Sequence, residues 1–133
     1  MSQEGENQIR IVVQDVERVT ETIVKQLTVN LTAKLAERTP RDTGWAANNW
    51  VPSIGDPFVG LAGSRDAVTS SYQEAGIVTV ASGYRLAMGP CWVSNNVPYI
   101  GPLNNGSSEK APAGFVQTAL LETVEEEIRV EER

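Results

Sequence analysis

Apolar residues recur at intervals of three and four along the first part of the chain: Val12, Val16, Val19, Ile23, Leu27, Leu31 and Leu35. That spacing lines them along one side of a helix and predicts a helix running to about Arg38. Lys25, Lys34 and Arg38 sit in its second half, where cations meet the partial negative charge of a helix C-terminus. Ahead of it, Ile9, Ile11 and Val13 alternate, so a short strand before the helix is open. Thr39-Pro40 ends the helix, because a residue before proline avoids helical dihedrals and proline has no N–H to continue the ladder. A second helical pattern begins at about Pro112, a residue suited to a first turn. Its stripe is Val116, Leu120, Val124 and Ile128, with Phe115, Ala119 and Leu121 beside it. Glutamates fill the outer face, and acids near a C-terminus oppose the helix dipole, so this end frays unless a partner supplies cations.

The middle of the chain has shorter patterns. Asn49 to Ile54 reads as a strand with Trp50 and Ile54 on one face, and Pro52 confines it to an edge or a bulge. Residues 90–94, PCWVS, form a second strand candidate, and Tyr99-Ile100 a short extended piece. Asn95-Asn96 and Asn104-Asn105-Gly106 are turns. Residues 65–83 read two ways. A helix capped by Ser64 would use Ala67, Ser71, Ala75 and Val78 as its stripe, whereas IVTVA suits a strand and Gly76 costs a helix about 1 kcal/mol relative to alanine. Residues 55–64 and 104–111 are expected as exposed loops, and residues 1–8 as flexible. The fold class expected is α+β in a single domain, residues 1–133. A long N-terminal helix and a C-terminal helix pack on one face of a small, mostly antiparallel sheet.

Composition narrows the function. The 133 residues carry a net charge of −6 and no histidine. An acidic surface argues against tight wrapping of nucleic acid, whose affinity comes largely from cations replacing counterions on phosphate. No apolar run approaches the roughly 20 residues of a membrane helix. The polar start, MSQEGENQ, is unlike a secretory signal, and a single cysteine, Cys91, points to folding in a reducing cytoplasm. Charge is concentrated at the two ends. Residues 39–111 hold only five acids and four bases, so their polarity comes from Asn, Ser, Thr and Gly, as in loops or in surface covered by partner subunits.

One stretch suggests catalysis. Asp42-Thr43-Gly44, within TPRDTGW, matches the aspartic-protease tripeptide. Such a dyad needs two carboxylates about 3 Å apart, so a short chain must dimerise, and the aspartate must sit at the tip of buried strands. Here a long helix precedes the motif, and Arg41 and Trp45 flank Asp42. The alternative is a turn: aspartate bonds the backbone two residues on, and glycine accepts positive φ. Without histidine there is no Ser-His or Cys-His pair. Zinc would lack its usual imidazole and thiolate ligands, and no glycine-rich phosphate loop occurs. Cys91 lies in an apolar run with no cation to lower its pKa and reads as a small buried hydrophobe. No cofactor is expected. Trp45, Trp50 and Trp92 suit core packing or interface anchoring.

Two segments together resemble the tail-completion (neck) proteins of tailed bacteriophages. TPRDTGWAANNWVPSIGDP is similar to the family's helix exit, a Thr-Pro-x-Asp-Thr-Gly run followed by a short Asn-Trp strand. VSNNVPYIGPLNNGSSEKAPAGFV resembles its second signature, in which Asn-Asn-x-Pro-Tyr leads to a Gly-Ser element and Ala-Pro-Ala-Gly opens the last helix. The matching positions are Thr39, Pro40, Asp42, Thr43, Gly44 and Trp50, then Asn95, Asn96, Pro98, Tyr99, Leu103, Asn105, Gly106, Ser108, Ala111, Pro112, Gly114 and Phe115. Trp45 departs from the pattern, where the family often has a smaller or basic residue.

The resemblance implies a non-enzymatic structural virion protein, made in the host cytoplasm. It would form a ring, most often a hexamer, at the head–tail joint, with DNA passing through. Its partners would be itself, the head connector or stopper, and the tail terminator or tail tube. The resemblance also favours a helix for residues 65–83. Thr39, Pro40, Asp42, Thr43 and Gly44 are then the structural turn. Tyr99, Leu103, Asn105, Gly106, Ser108, Pro112 and Phe115 are the expected subunit or partner contact, with a complementary patch near loop 55–64. The alternatives from the residues alone are a homodimeric aspartic protease using Asp42 and a monomeric binding module.

Overall fold

The structure is a computed structural model that describes residues 2–131. Helix α1, Gln3–Arg38, has 36 residues and is therefore about 54 Å long. The Ser2 hydroxyl accepts the Gly5 N–H at 3.2 Å and caps its start. Ile9, Ile11 and Val13 are helical, not a separate strand. The cap and the three-and-four spacing of Ile9, Val13 and Val16 prevail over a three-residue alternation. The helix ends at Arg38, and Thr39 takes extended dihedrals ahead of Pro40, as the proline predicts.

A 3₁₀ turn at Ala47–Asn49 leads into strand β1, Val51–Ile54, so the strand begins two residues later than the sequence suggests. It pairs antiparallel with β2, Cys91–Ser94, with Val51 opposite Ser94 and Ile54 opposite Cys91. Helix α2, Ser71–Gly83, lies between them in sequence. It starts at Ser71 rather than near Ser64, which instead closes a tight turn with Ala67 through two backbone hydrogen bonds of 3.1 and 3.2 Å. The β-branched IVTVA run is helical because Val80 is fully buried under the fold, and tertiary burial overrides local propensity. Gly76 also finds its reason here. A Cβ at that position would lie 2.5 Å from the Pro52 carbonyl oxygen, so α2 crosses β1 with backbone nearly touching backbone.

Residues 100–104 form a short helix, α3 (Ile100–Asn104), not an extended piece, with the Ile100 N–H donating to the Val97 carbonyl at 3.1 Å. Helix α4, Phe115–Glu131, then packs antiparallel on α1. Lys34 reaches Glu126 at 2.5 Å and Glu122 at 3.6 Å, and Arg38 pairs with Glu122. The long N-terminal and C-terminal helices thus pack with a small antiparallel sheet, an α+β fold. Leu35, Trp50 and Ala119 form the centre of the core, with Leu31, Val93, Ile100 and Val116 against it.

The apolar stripes do not coincide with the buried faces. On α1 the buried positions are Thr28, Thr32 and Leu35, while Val12, Val16 and Val19 are 61, 60 and 51% exposed. On α4 the buried positions are Phe115, Ala119, Thr123 and Glu127, while Leu120 and Ile128 are about half exposed. Close α1–α4 packing selects small side chains, Ala119 and the threonines, whose hydroxyls bond back to carbonyls four residues earlier. The larger apolar groups are left beside the contact.

Candidate functional site

The two motif segments, roughly 45 residues apart in sequence, meet at the exit of α1. Their hub is Thr39, which is 2% exposed. Its hydroxyl donates to the Leu35 carbonyl at 2.6 Å and accepts the Trp50 indole N–H at 2.7 Å. The residue that ends the helix therefore also anchors the core tryptophan. Gly44 has φ +84 and its carbonyl accepts both the N–H and the side-chain amide of Asn48, at 3.0 and 2.8 Å. The side-chain-to-backbone bond of this turn comes from Thr43, whose hydroxyl accepts the Trp45 N–H at 3.2 Å. Asp42, expected to make it, instead points outward and pairs with Lys110 from the loop before α4. Its carboxylate is 76% exposed.

Asn49 carries a role the sequence did not disclose. Its amide donates to the carbonyls of Trp45 and Ala62, at 2.8 and 3.0 Å, and its oxygen accepts the Ala62 N–H at 2.8 Å. The adjacent asparagines in AANNW are the only sequence signal for it, and they do not say which amide turns inward. Asn95 donates to the Ala46 carbonyl at 2.9 Å, and Asn96 donates to the carbonyls of Phe58 and Gly60 at 2.8 and 3.1 Å. These asparagines end β2, as expected, and also bind the second motif to the first and to loop 55–64. That loop and the segment following Asn96 consequently lie side by side in one subunit.

Between the motifs lies a cleft of about 200 Å³ lined by Pro40, Asp42, Thr43, Arg65, Tyr99 and Leu103. Tyr99 is held on both sides: its ring centroid is 5.9 Å from that of Trp45, and the Arg65 guanidinium lies 5.1 Å over its face. Trp45 thus supports the tyrosine, and its indole N–H donates to the Ala62 carbonyl at 3.2 Å.

The remaining expected contacts divide by exposure. Asn105, Gly106 and Pro112 are exposed, and Leu103 and Ser108 are half-buried. The Ser108 hydroxyl accepts the Lys110 N–H at 3.2 Å. Gly106, at φ +93, sits close against Ala113. Phe115 is not on this surface: it is 2% exposed and belongs to the core. Asn104, absent from the expected set, closes the loop. Its side-chain oxygen accepts the Val116 N–H at 3.0 Å and its carbonyl accepts the Gly114 N–H at 2.6 Å. It thereby satisfies a first-turn donor of α4 from a distant residue.

Burial pushes the Cys91 thiol above its ordinary pKa, with Thr28 partly opposing the shift. Glu122 is held below the ordinary carboxylate range, first by its hydrogen bond with Arg38 and then by the charges of Arg38 and Lys34. Among the described residues no group of three His, Cys, Asp or Glu side chains is placed to hold a metal ion, and no helix is long and apolar enough to cross a membrane. No family model, curated protein or solved structure matches the chain.

Proposed function

We propose that this chain is a structural virion protein of the tail-completion type. It forms a ring, a hexamer in the commonest arrangement, at the joint between the head connector and the tail, and DNA passes through that ring. The observation that carries this proposal is the cleft between the two motifs. Its residues are held by packing and by hydrogen bonds between side chains and backbone, and its lining sets the apolar bodies of Tyr99 and Leu103 beside Asp42 and Arg65. That is the construction of a docking surface. Val59, in loop 55–64, is 84% exposed, and Asn96 ties that loop to the second motif, so a further apolar group is available to a partner. Head-to-tail contacts of this kind generate closed rings when the rotation between subunits closes. The acidic balance of the chain suits a channel that lets DNA slide, since like charge does not grip phosphate.

The protease alternative has no observation in its favour. A shared-proton dyad requires desolvated, adjacent carboxylates, whereas Asp42 is exposed and ion-paired.

Tyr99→Asp tests the proposal in assembled particles. The variant chain should fold, because Tyr99 is only partly buried and lies outside the core cluster, yet it should be missing from purified particles, and full heads should accumulate beside unjoined tails. Normal joining with the variant present at wild-type copy number would overturn the docking role of this cleft.

A further inference from the structure

Residues 6–19 of α1 are exposed on every side of the helix, so the first half of α1 projects from the body as a bare arm. A helix of that length is marginal in water unless an amphipathic face is packed. The arm does have such a face: Ile9, Val12, Val13, Val16 and Val19 are all about half exposed or more. At 100° per residue this face points about 130° away from the direction of Thr28, Thr32 and Leu35, which meet the core. Along residues 9–19 it therefore faces away from that contact. It does continue into Ile23, Leu27 and Leu31, and from there into an open apolar groove of about 270 Å³ completed by Val93, Leu120 and Val124.

The surface is also too large for a chain that stands alone. A compact monomer of 14.4 kDa exposes about 6,800 Å². This chain exposes 8242 Å², an excess of about 1,400 Å², against the roughly 800 Å² per partner of a standard stable interface.

From these observations we infer that the arm is an interface between two copies of this chain, in which the α1 helices lie antiparallel and each arm settles into the apolar groove of the other. A single stripe that is arm at one end and groove wall at the other is complementary to itself when one copy is reversed, as a two-fold axis requires. Charge chooses the direction. Residues 2–21 carry five acids (Glu4, Glu6, Asp15, Glu17, Glu21) and two bases (Arg10, Arg18), while residues 22–38 carry one acid (Glu37) and three bases (Lys25, Lys34, Arg38). A parallel pair would place the two acidic halves together, and like charges repel; the antiparallel pair avoids this and sets each acidic half beside the half that carries Lys25, with Lys34 and Arg38 already paired to Glu126 and Glu122 of α4. The register that matches the apolar positions pairs Ile9 with Leu31, Val13 with Leu27 and Val16 with Val24, and it brings Thr20 opposite Thr20 of the second copy. The inference goes beyond the ring proposal: the cleft at Tyr99 takes no part in it, and the two-fold pair is the form of the free chain before it joins a ring, whose subunits all point the same way.

Cysteine cross-linking of the full chain tests it, in a Cys91→Ser background. Under mild oxidation Thr20→Cys should give a covalent dimer on a denaturing gel, and Val12→Cys should not, because positions 12 lie far apart in the antiparallel pair. In a Tyr99→Asp background, with the cleft contact removed, light scattering at micromolar concentration should give the mass of two chains. Adding Val12→Glu and Val16→Glu should bring it to one chain with the circular dichroism of the helices largely kept. Equal cross-linking at positions 12 and 20 would overturn the antiparallel arrangement. A single-chain mass before the glutamates are introduced, or a mass unchanged by them, would overturn the interface and leave the arm to a different partner.

Discussion

Replacing Gly76 with alanine should destabilise the protein, although helix propensity alone says the reverse. Glycine in a helix interior costs about 1 kcal/mol relative to alanine, so an unobstructed site would gain that amount. At Gly76 the added methyl would lie 2.5 Å from the Pro52 carbonyl oxygen and 3.0 and 3.1 Å from two of its ring carbons. None of these atoms is the free end of a flexible side chain. To reach ordinary contact, α2 must move off β1 by the better part of an ångström, and overpacking of this kind costs about 1–3 kcal/mol. The clash therefore outweighs the propensity gain, and the net effect is a loss of about 1 kcal/mol, at most 2. The same helix provides the control. A Cβ at Gly83 meets nothing within 4 Å, so Gly83→Ala should be neutral or stabilising by a few tenths of a kcal/mol, as befits a helix end. Urea unfolding followed by far-ultraviolet circular dichroism measures both, with the two midpoints moving in opposite directions at an unchanged m-value. If Gly76→Ala raised the midpoint as an open helix site would, α2 would not lie across Pro52 and the packing of this layer described above would be wrong.

Thr39→Val should cost about 1–3 kcal/mol, because the Trp50 indole N–H would lose its partner inside the core; Thr39→Ser should recover most of that, and urea midpoints with tryptophan emission distinguish the two. The α1–α4 clasp should weaken in acid. Glu122 has its pKa lowered in the folded protein, chiefly by Arg38, so its contribution is present above the ordinary glutamate range and is lost as pH falls through the folded value. The stability gap between the parent and Glu122→Gln should accordingly shrink between about pH 7 and pH 3, and a constant gap would remove the ion pair from the account. The Cys91 thiol, raised by burial, should react with iodoacetamide more slowly in the folded protein than in urea, and equal rates would contradict its place in the groove wall.

How far the sequence alone reaches can be judged element by element. The stop of α1 at Thr39-Pro40 and the positive-φ glycine at 44 follow from local chemistry: a missing N–H and a residue without Cβ. These causes act within a few positions, so the chain states them directly. Segments 39–50 and 95–115 meet in space at a cleft lined by Pro40, Asp42, Thr43, Tyr99 and Leu103, and no periodicity in either segment announces that meeting. The long-range partners of Asn49 and Asn104 have no local signal, since a hydrogen bond spanning a dozen residues leaves no periodicity, and neither does the place of Arg65 over Tyr99.

Tertiary contact decided what periodicity could not. A stripe of valines and leucines says that a helix has an apolar face, but not what covers it. On α4 the buried face fell one position earlier than the stripe, on Phe115, Ala119 and Thr123, because two helices approach most closely over small side chains. Gly76 looked like an argument against a helix and is the point where α2 meets β1, because only a residue without Cβ lets two backbones come so near. The residue types set each element and its apolar side; which side turned inward was settled by the closest packing the assembled elements allowed.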